Sequence, residues 1–279
     1  MVTESLREAL GRLADTPALW VTGLYLGALF VIDLALQVGG STVLGARVGF
    51  LGLCAVPFFL GGSSGVIRGE EKGVRGFIAA GRKYYFRILL AGGVIIAAAF
   101  LTVLLVSIPV SIIGVPFTEA MTLSIAGVTV PFVLFTFFFD TAVVFEDRKT
   151  LDSIRRSVEF VARNPGKVIG FFLVSLGISL AVLFPFFILW FVTIADRIEP
   201  IVEANQTLVF QNMTATQFVT LIGDSGVWTG LAIGFFAIMT WITLITAFKA
   251  CFFRRVSAGS PAAPAPQGEF DEKGRWYRY

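Results

Sequence analysis

Hydrophobic positions along this chain come in two textures that alternate three times. Short segments carry apolar residues at helical spacing among basic ones, and each is followed by long stretches that are apolar on every side. The short segments start at Ser5, Gly73 and Ser153 and read SLREALGRLADTPALW, GVRGFIAAGRKYYFRI and SIRRSVEFVARNPGKV. Aligned, they superpose Arg7, Arg75 and Arg155, then Leu10, Ile78 and Val158, while Pro17 and Pro165 fall at the same place. The pattern predicts one unit used three times, a surface helix followed by a membrane hairpin, at offsets of 68 and 80 residues.

The apolar stretches lie near 17–38, 47–67, 88–113, 123–146, 168–195 and 227–252. At about 1.5 Å per residue each is long enough for a hydrocarbon core of about 30 Å. Backbone groups in lipid must pair within their own segment, so all six are expected to be helices. The expected fold class is therefore an all-α membrane protein of six transmembrane helices, arranged as three hairpins each preceded by a cytoplasmic amphipathic helix. This domain would occupy residues 1–256, with a flexible cytoplasmic tail at 257–279. Composition agrees: 56% of the 279 residues are hydrophobic, 15% are charged, and mean hydropathy is +0.82. The first stretch follows an amphipathic start without a small-residue cleavage site, so it reads as a retained helix rather than a signal peptide.

Basic residues set the expected orientation. Arg68, Lys72, Arg75, Arg82, Lys83 and Arg87 cluster in one connection, and Arg148, Lys149, Arg155, Arg156, Arg163 and Lys167 in another. The opposite connections hold only Arg47 and Arg197. By the positive-inside rule both termini and both basic connections lie in the cytoplasm of a cell whose plasma membrane the chain spans. Two sequons, at Asn205 and Asn212, fall in the outer connection and are candidate glycosylation sites.

The third surface segment predicts an apolar stripe of Leu151, Ile154, Val158 and Val161, with Arg155, Arg156, Glu159 and Arg163 facing away. Thr16-Pro17 and Asn164-Pro165 predict an N-cap followed by proline at the first helical position, so that the surface helix breaks and the span begins at a new angle. The basic side chains Arg75, Arg82, Lys83, Arg155, Arg156 and Arg163 are the candidates for anionic headgroups or a protein partner, each worth about 1 kcal/mol beside an anionic leaflet.

Charges within the spans are few and expensive, at least about 2.5 kcal/mol each at mid-bilayer. Asp33 and Arg47 are candidates for a pair across the first hairpin, and Asp140 and Lys249 for a second pair in the inner quarter of spans four and six. Either pair fixes helix packing or marks an ion pathway. Gly23/Gly27, Gly61/Gly65 and Gly230/Gly234 have the spacing of close helix contacts. Pro57, Pro109, Pro131 and Pro185 are expected to kink their helices. Cys54 and Cys251 differ too much in depth to form a disulfide.

The chain has no histidine, which removes the commonest general base and metal ligand. GGSSG at 61–65 lacks the lysine of a phosphate-binding loop. No catalytic residue, metal or cofactor is expected, and nucleic acid is not an expected partner. The segment FFFDTAVVFEDRKTLDSIRRSVEFVARNPGKVIGFFLV resembles a class of prokaryotic membrane proteins that includes the membrane domain attached to some glycerophosphodiester phosphodiesterases. Val143, Val144, Phe145, Glu146, Arg156, Ser157 and Asn164 carry the resemblance. It implies an integral membrane module; the phosphodiesterase barrel is missing, so its activity does not carry over. The expected function is an integral membrane scaffold or accessory protein binding lipid or a partner, the alternative a transporter or lipid-handling protein with a cavity between hairpins.

Overall fold

A computed structural model describes residues 1–69, 73–203, 213–258, 268–270 and 276–278. Six helices are long and apolar enough to cross a membrane, consistent with a multi-pass membrane protein. In chain order the helices are α1 Val2–Asp15, α2 Trp20–Val38, α3 Thr42–Arg68, α4 Gly73–Ile112, α5 Phe117–Thr136, α6 Phe139–Phe145, α7 Thr150–Arg163, α8 Pro165–Glu203 and α9 Ala215–Ala258. Strands β1 Gly268–Phe270 and β2 Trp276–Arg278 pair antiparallel with Glu269 opposite Tyr277. The rest of the tail, and Asn205 and Asn212, lie outside the described residues.

Consecutive spans pack beside each other, α2 on α3, α4 on α5 and α8 on α9, and α9 also packs on α2. Small residues set the tightest approaches. A side chain at Gly23 would strike the Met239 carbonyl and Thr243 on α9, and one at Gly65 would strike Ala80 on α4. Hydroxyls pair inside these seams: Thr22 and Ser63 are 2.6 Å apart, and Tyr25 donates to the Gly52 carbonyl at 2.7 Å.

The second surface segment is not a separate helix. α4 runs unbroken through 40 residues, about 60 Å. The cause is visible in the alignment: α1 ends before Pro17 and α7 before Pro165, whereas the matching residue of the second segment is Tyr85, which continues a helix. Asn164 serves both helices: its backbone N–H and its Nδ2 donate to the Phe160 carbonyl and close α7, while its own carbonyl accepts the Val168 N–H and opens α8 before Pro165, so Nδ2 serves α7 rather than α8. Thr16 makes no side-chain cap either.

On α7 the buried face is Ser153, Ser157, Phe160 and Val161, while Leu151 and Val158 are exposed. The expected stripe is thus split: its apolar edge points away from the protein, and small serines let the helix approach the core closely. α1 does the same with Ser5, Ala9 and Leu13 buried and Leu10 exposed.

Nor do the prolines decide where the long helices break. Pro57, Pro109, Pro131 and Pro185 all lie within continuous helix. The breaks fall at Phe137–Phe138, between α5 and α6, and at Gly223 in α9 (φ 63°, ψ 174°). Each is held by a partner from elsewhere. Ser157 Oγ accepts the Phe138 N–H at 3.1 Å and donates to the Phe135 carbonyl at 2.7 Å, so one hydroxyl serves both sides of the first break. At the second, Arg197 of α8 donates to the Ile222 carbonyl and, at 2.7 Å, to Ser225 Oγ.

The core lies at the end of the bundle where α1 and α7 sit. Phe138, Phe160, Phe171, Phe248, Phe252 and Phe253 are fully buried there, with neighbouring ring centres as close as 4.7 Å. A lesser cluster of Ile194, Ile198 and Ile222 closes the opposite end.

Candidate functional site

Asp140 and Lys249 are brought together as their depths predict. The break after Phe137 turns α6 so that Asp140 faces α9, and its Oδ1 lies 2.6 Å from Lys249 Nζ. The side chains are 3% and 11% exposed. Charge attraction holds them more than an aligned hydrogen bond, since Oδ1 receives none of good geometry. Lys249 Nζ also sits 4.3 Å above the Phe137 ring, whose negative face adds to its stabilisation. Around the pair are the aromatic core and the Thr141 hydroxyl, which donates to the Phe138 carbonyl at 2.7 Å.

Asp33 and Arg47 do not pair. Asp33 Oδ1 faces Gly45 and Gly49 of α3, and its Oδ2 accepts from Gln37 one turn along at 2.8 Å. Arg47 shares the outward face of α3 with Val43 and Leu51, and makes no ion pair among the described residues. The two charges lie on different sides of the hairpin.

The basic candidates differ in what holds them, and some are firmly fastened. Arg156 is one of these: its guanidinium grips both oxygens of Glu146, at 2.8 and 2.9 Å, with the two side chains only 17% and 20% exposed. That pair ties α7 to the end of α6, so Arg156 is not presented outward as the helical wheel predicts. Arg87 is joined to Asp147 at 2.6 Å. Arg155 is exposed and, among the described residues, bonds only Glu159 on its own helix at 3.0 Å. Lys83 is exposed and lies 4.8 Å from the Tyr84 ring. Arg75, Arg82 and Arg163 are exposed and make no ion pair among the described residues.

A further set of fastenings was not legible beforehand. Glu8 of α1 binds Arg12 at 3.1 Å and also Arg254 and Arg255 of α9. Arg12 and Arg254 both donate to the Ile67 carbonyl at the end of α3, at 3.0 and 3.1 Å. Glu4 joins Arg255 at 2.5 Å. The Glu4 carboxyl is held below its ordinary range by the hydrogen bond from the N-terminal ammonium, by that charge, and then by Arg255. The contacts of Glu4 and Glu8 with Arg254 and Arg255 were not signalled by the sequence, because they join segments far apart in the chain.

The residues of the resembling motif are structural fasteners. Glu146 and Arg156 pair, Ser157 bridges the helix break, Asn164 caps α7, and the Val144 carbonyl accepts from Arg68 at 2.6 Å. The sequence model of a domain-of-unknown-function family, DUF7847, matches residues 1–256. The chain belongs to that family. No curated protein matches it, and no solved structure does. The DUF7847 match ends two residues before the end of α9, so it takes in all six long apolar helices and the fasteners above. Among the described residues no group of His, Cys, Asp and Glu is arranged to hold a metal ion.

Proposed function

We propose that this DUF7847 protein is an integral scaffold or accessory protein of the cytoplasmic membrane, seated by amphipathic segments and engaging anionic lipid or a protein partner through a basic rim. The observation that carries this reading is the placing of Leu10, Ile78 and Val158. These residues occupy matching positions in the three related segments and are 50%, 40% and 39% exposed. An apolar residue kept outward at the same place in each segment, beside basic residues, suits a rim that lies in the headgroup region with its edge in the acyl boundary. It also supports three-fold use of one unit.

The centre favours a scaffold over a transporter. Asp140 and Lys249 neutralise each other within a packed aromatic core, which leaves neither charge facing a water-filled route. The lipid-handling alternative rests on a separate feature, an apolar groove of about 290 Å³ lined by Phe30, Leu34, Trp190, Phe218 and Leu231. The resemblance to a module that elsewhere accompanies a catalytic domain fits an accessory role without catalysis of its own.

Replacing Arg75, Arg155 and Arg163 together by Gln tests the rim, with Arg156 left in place because it fastens α7. Mass spectrometry of lipids retained after gentle extraction is expected to show less anionic lipid per protein with unchanged thermal unfolding. Equal retention by variant and parent would remove the electrostatic role.

A further inference from the structure

Arg82 stands apart from the other basic residues by what lies next to it. It is exposed and without an ion pair among the described residues, although nearby Arg87 and Arg156 are each joined to a carboxylate. It forms one end of an open groove of about 570 Å³ between α3 and α4, whose other walls are Leu51, Cys54, Ala55, Phe58, Tyr85 and Phe86.

The geometry of the two helices fixes how the groove runs. Gly81 abuts Phe58, and Tyr85 OH donates to the Cys54 carbonyl at 3.1 Å, so α3 and α4 are antiparallel here and Arg82 lies level with Phe58. From Phe58 the groove runs along Ala55 and Cys54 to Leu51, seven residues or about 10 Å along α3, away from its Arg68 end. The Tyr85 bond uses the one wall hydroxyl internally, which leaves the floor apolar and Arg82 as the only charge.

We infer that this groove binds one anionic phospholipid, with the phosphate on the Arg82 guanidinium and the upper part of one acyl chain against Phe58, Ala55, Cys54 and Leu51. The inference rests on the lipid-binding reading above and sharpens it to one site. Charge complementarity selects the headgroup, since a guanidinium matches phosphate with two parallel N–H donors. The apolar floor selects the chain. A soluble anion would satisfy Arg82 but leave the floor uncovered, and a zwitterionic lipid would cover the floor while bringing its own cation near Arg82.

Native mass spectrometry of the full chain in detergent, titrated with phosphatidylglycerol and with phosphatidylcholine of identical chains, tests the site. The parent is expected to prefer phosphatidylglycerol. Arg82→Gln should weaken phosphatidylglycerol roughly fivefold, the factor equivalent to about 1 kcal/mol, and leave phosphatidylcholine unchanged. Arg82→Lys should restore part of the preference. Ala55→Phe, which fills the floor, should weaken both lipids. Unchanged phosphatidylglycerol binding in both Arg82→Gln and Ala55→Phe, with unfolding temperatures equal to the parent's, would overturn the groove. The Arg75, Arg155, Arg163 triple variant separates the two readings. If it loses anionic lipid and Arg82→Gln does not, the rim stands and the groove fails; the reverse result leaves the groove standing without the rim.

Discussion

Lys249 Nζ stands 2.6 Å from Asp140 Oδ1 and 4.3 Å from the centre of the Phe137 ring, so the charge on α9 is enclosed by a carboxylate and an aromatic face that both belong to the α5–α6 break. Removing one partner leaves the other buried and uncompensated. Asp140→Asn and Lys249→Met are each expected to cost about 3–5 kcal/mol, and the double variant to recover most of that. Thermal unfolding in detergent measures the cycle. Losses that simply add would mean that the residues act independently.

Ser157 and Ser153 are both fully buried on one face of α7, yet only Ser157 bonds outside its helix, while Ser153 donates to its own Thr150 carbonyl. Ser157→Ala strands the Phe138 N–H in the core and is expected to cost about 1–3 kcal/mol. Ser153→Ala should cost clearly less. Equal losses in chemical denaturation would show that the hydroxyl bridge does not hold the break.

Gly223 carries a backbone conformation that residues with a Cβ seldom adopt, and a Cβ there would also strike the Arg197 guanidinium. Gly223→Ala is expected to destabilise by about 1–3 kcal/mol from the backbone alone. Arg197→Gln, which frees the Ile222 carbonyl, should raise hydrogen exchange at residues 222–227. Exchange there identical to the parent's would remove Arg197 from its capping role.

Much of the architecture was legible in the hydropathy pattern, because lipid dictates long apolar helices whatever the tertiary contacts are. Asp140 and Lys249 were legible too, since opposite charges at equal depth in hydrocarbon have few other solutions. Helix breaks were not. None of the four prolines inside helices stands at a break, and the Phe137–Phe138 break depends on a serine about twenty residues away. The side of α7 that meets the protein was not legible for a related reason. In a membrane the side facing away from the protein is apolar as well, so the stripe of Leu151 and Val158 does not mark the core, and small Ser153 and Ser157 do. Asp33 and Arg47 show the limit of charge matching: two residues on one hairpin had opposite sign and the wrong faces.

Acid should loosen α1. The Glu4 pKa lies below its ordinary value in the folded chain, so its contribution is complete at neutral pH and is lost as pH falls through that lowered value. Hydrogen exchange of α1 amides, corrected for intrinsic rates, is expected to rise on acidification, and less so in Glu4→Gln. The same acid response in both would place the sensitivity elsewhere.

The imbalance of basic residues predicts the sidedness of the chain. Single cysteines at Thr150 and Thr214, in a background lacking Cys54 and Cys251, are expected to react with an impermeant reagent only after lysis and in intact cells, respectively. Labelling of position 150 in intact cells would invert the topology.

The Ile67 carbonyl receives Arg12 from the first helix and Arg254 from the sixth span, while Glu8 holds the same two arginines. During synthesis the first two partners emerge early and the third only after every other span has been made. These contacts are therefore complete only when the sixth span has arrived, so the last span made is the one that joins the first helix to the end of the third.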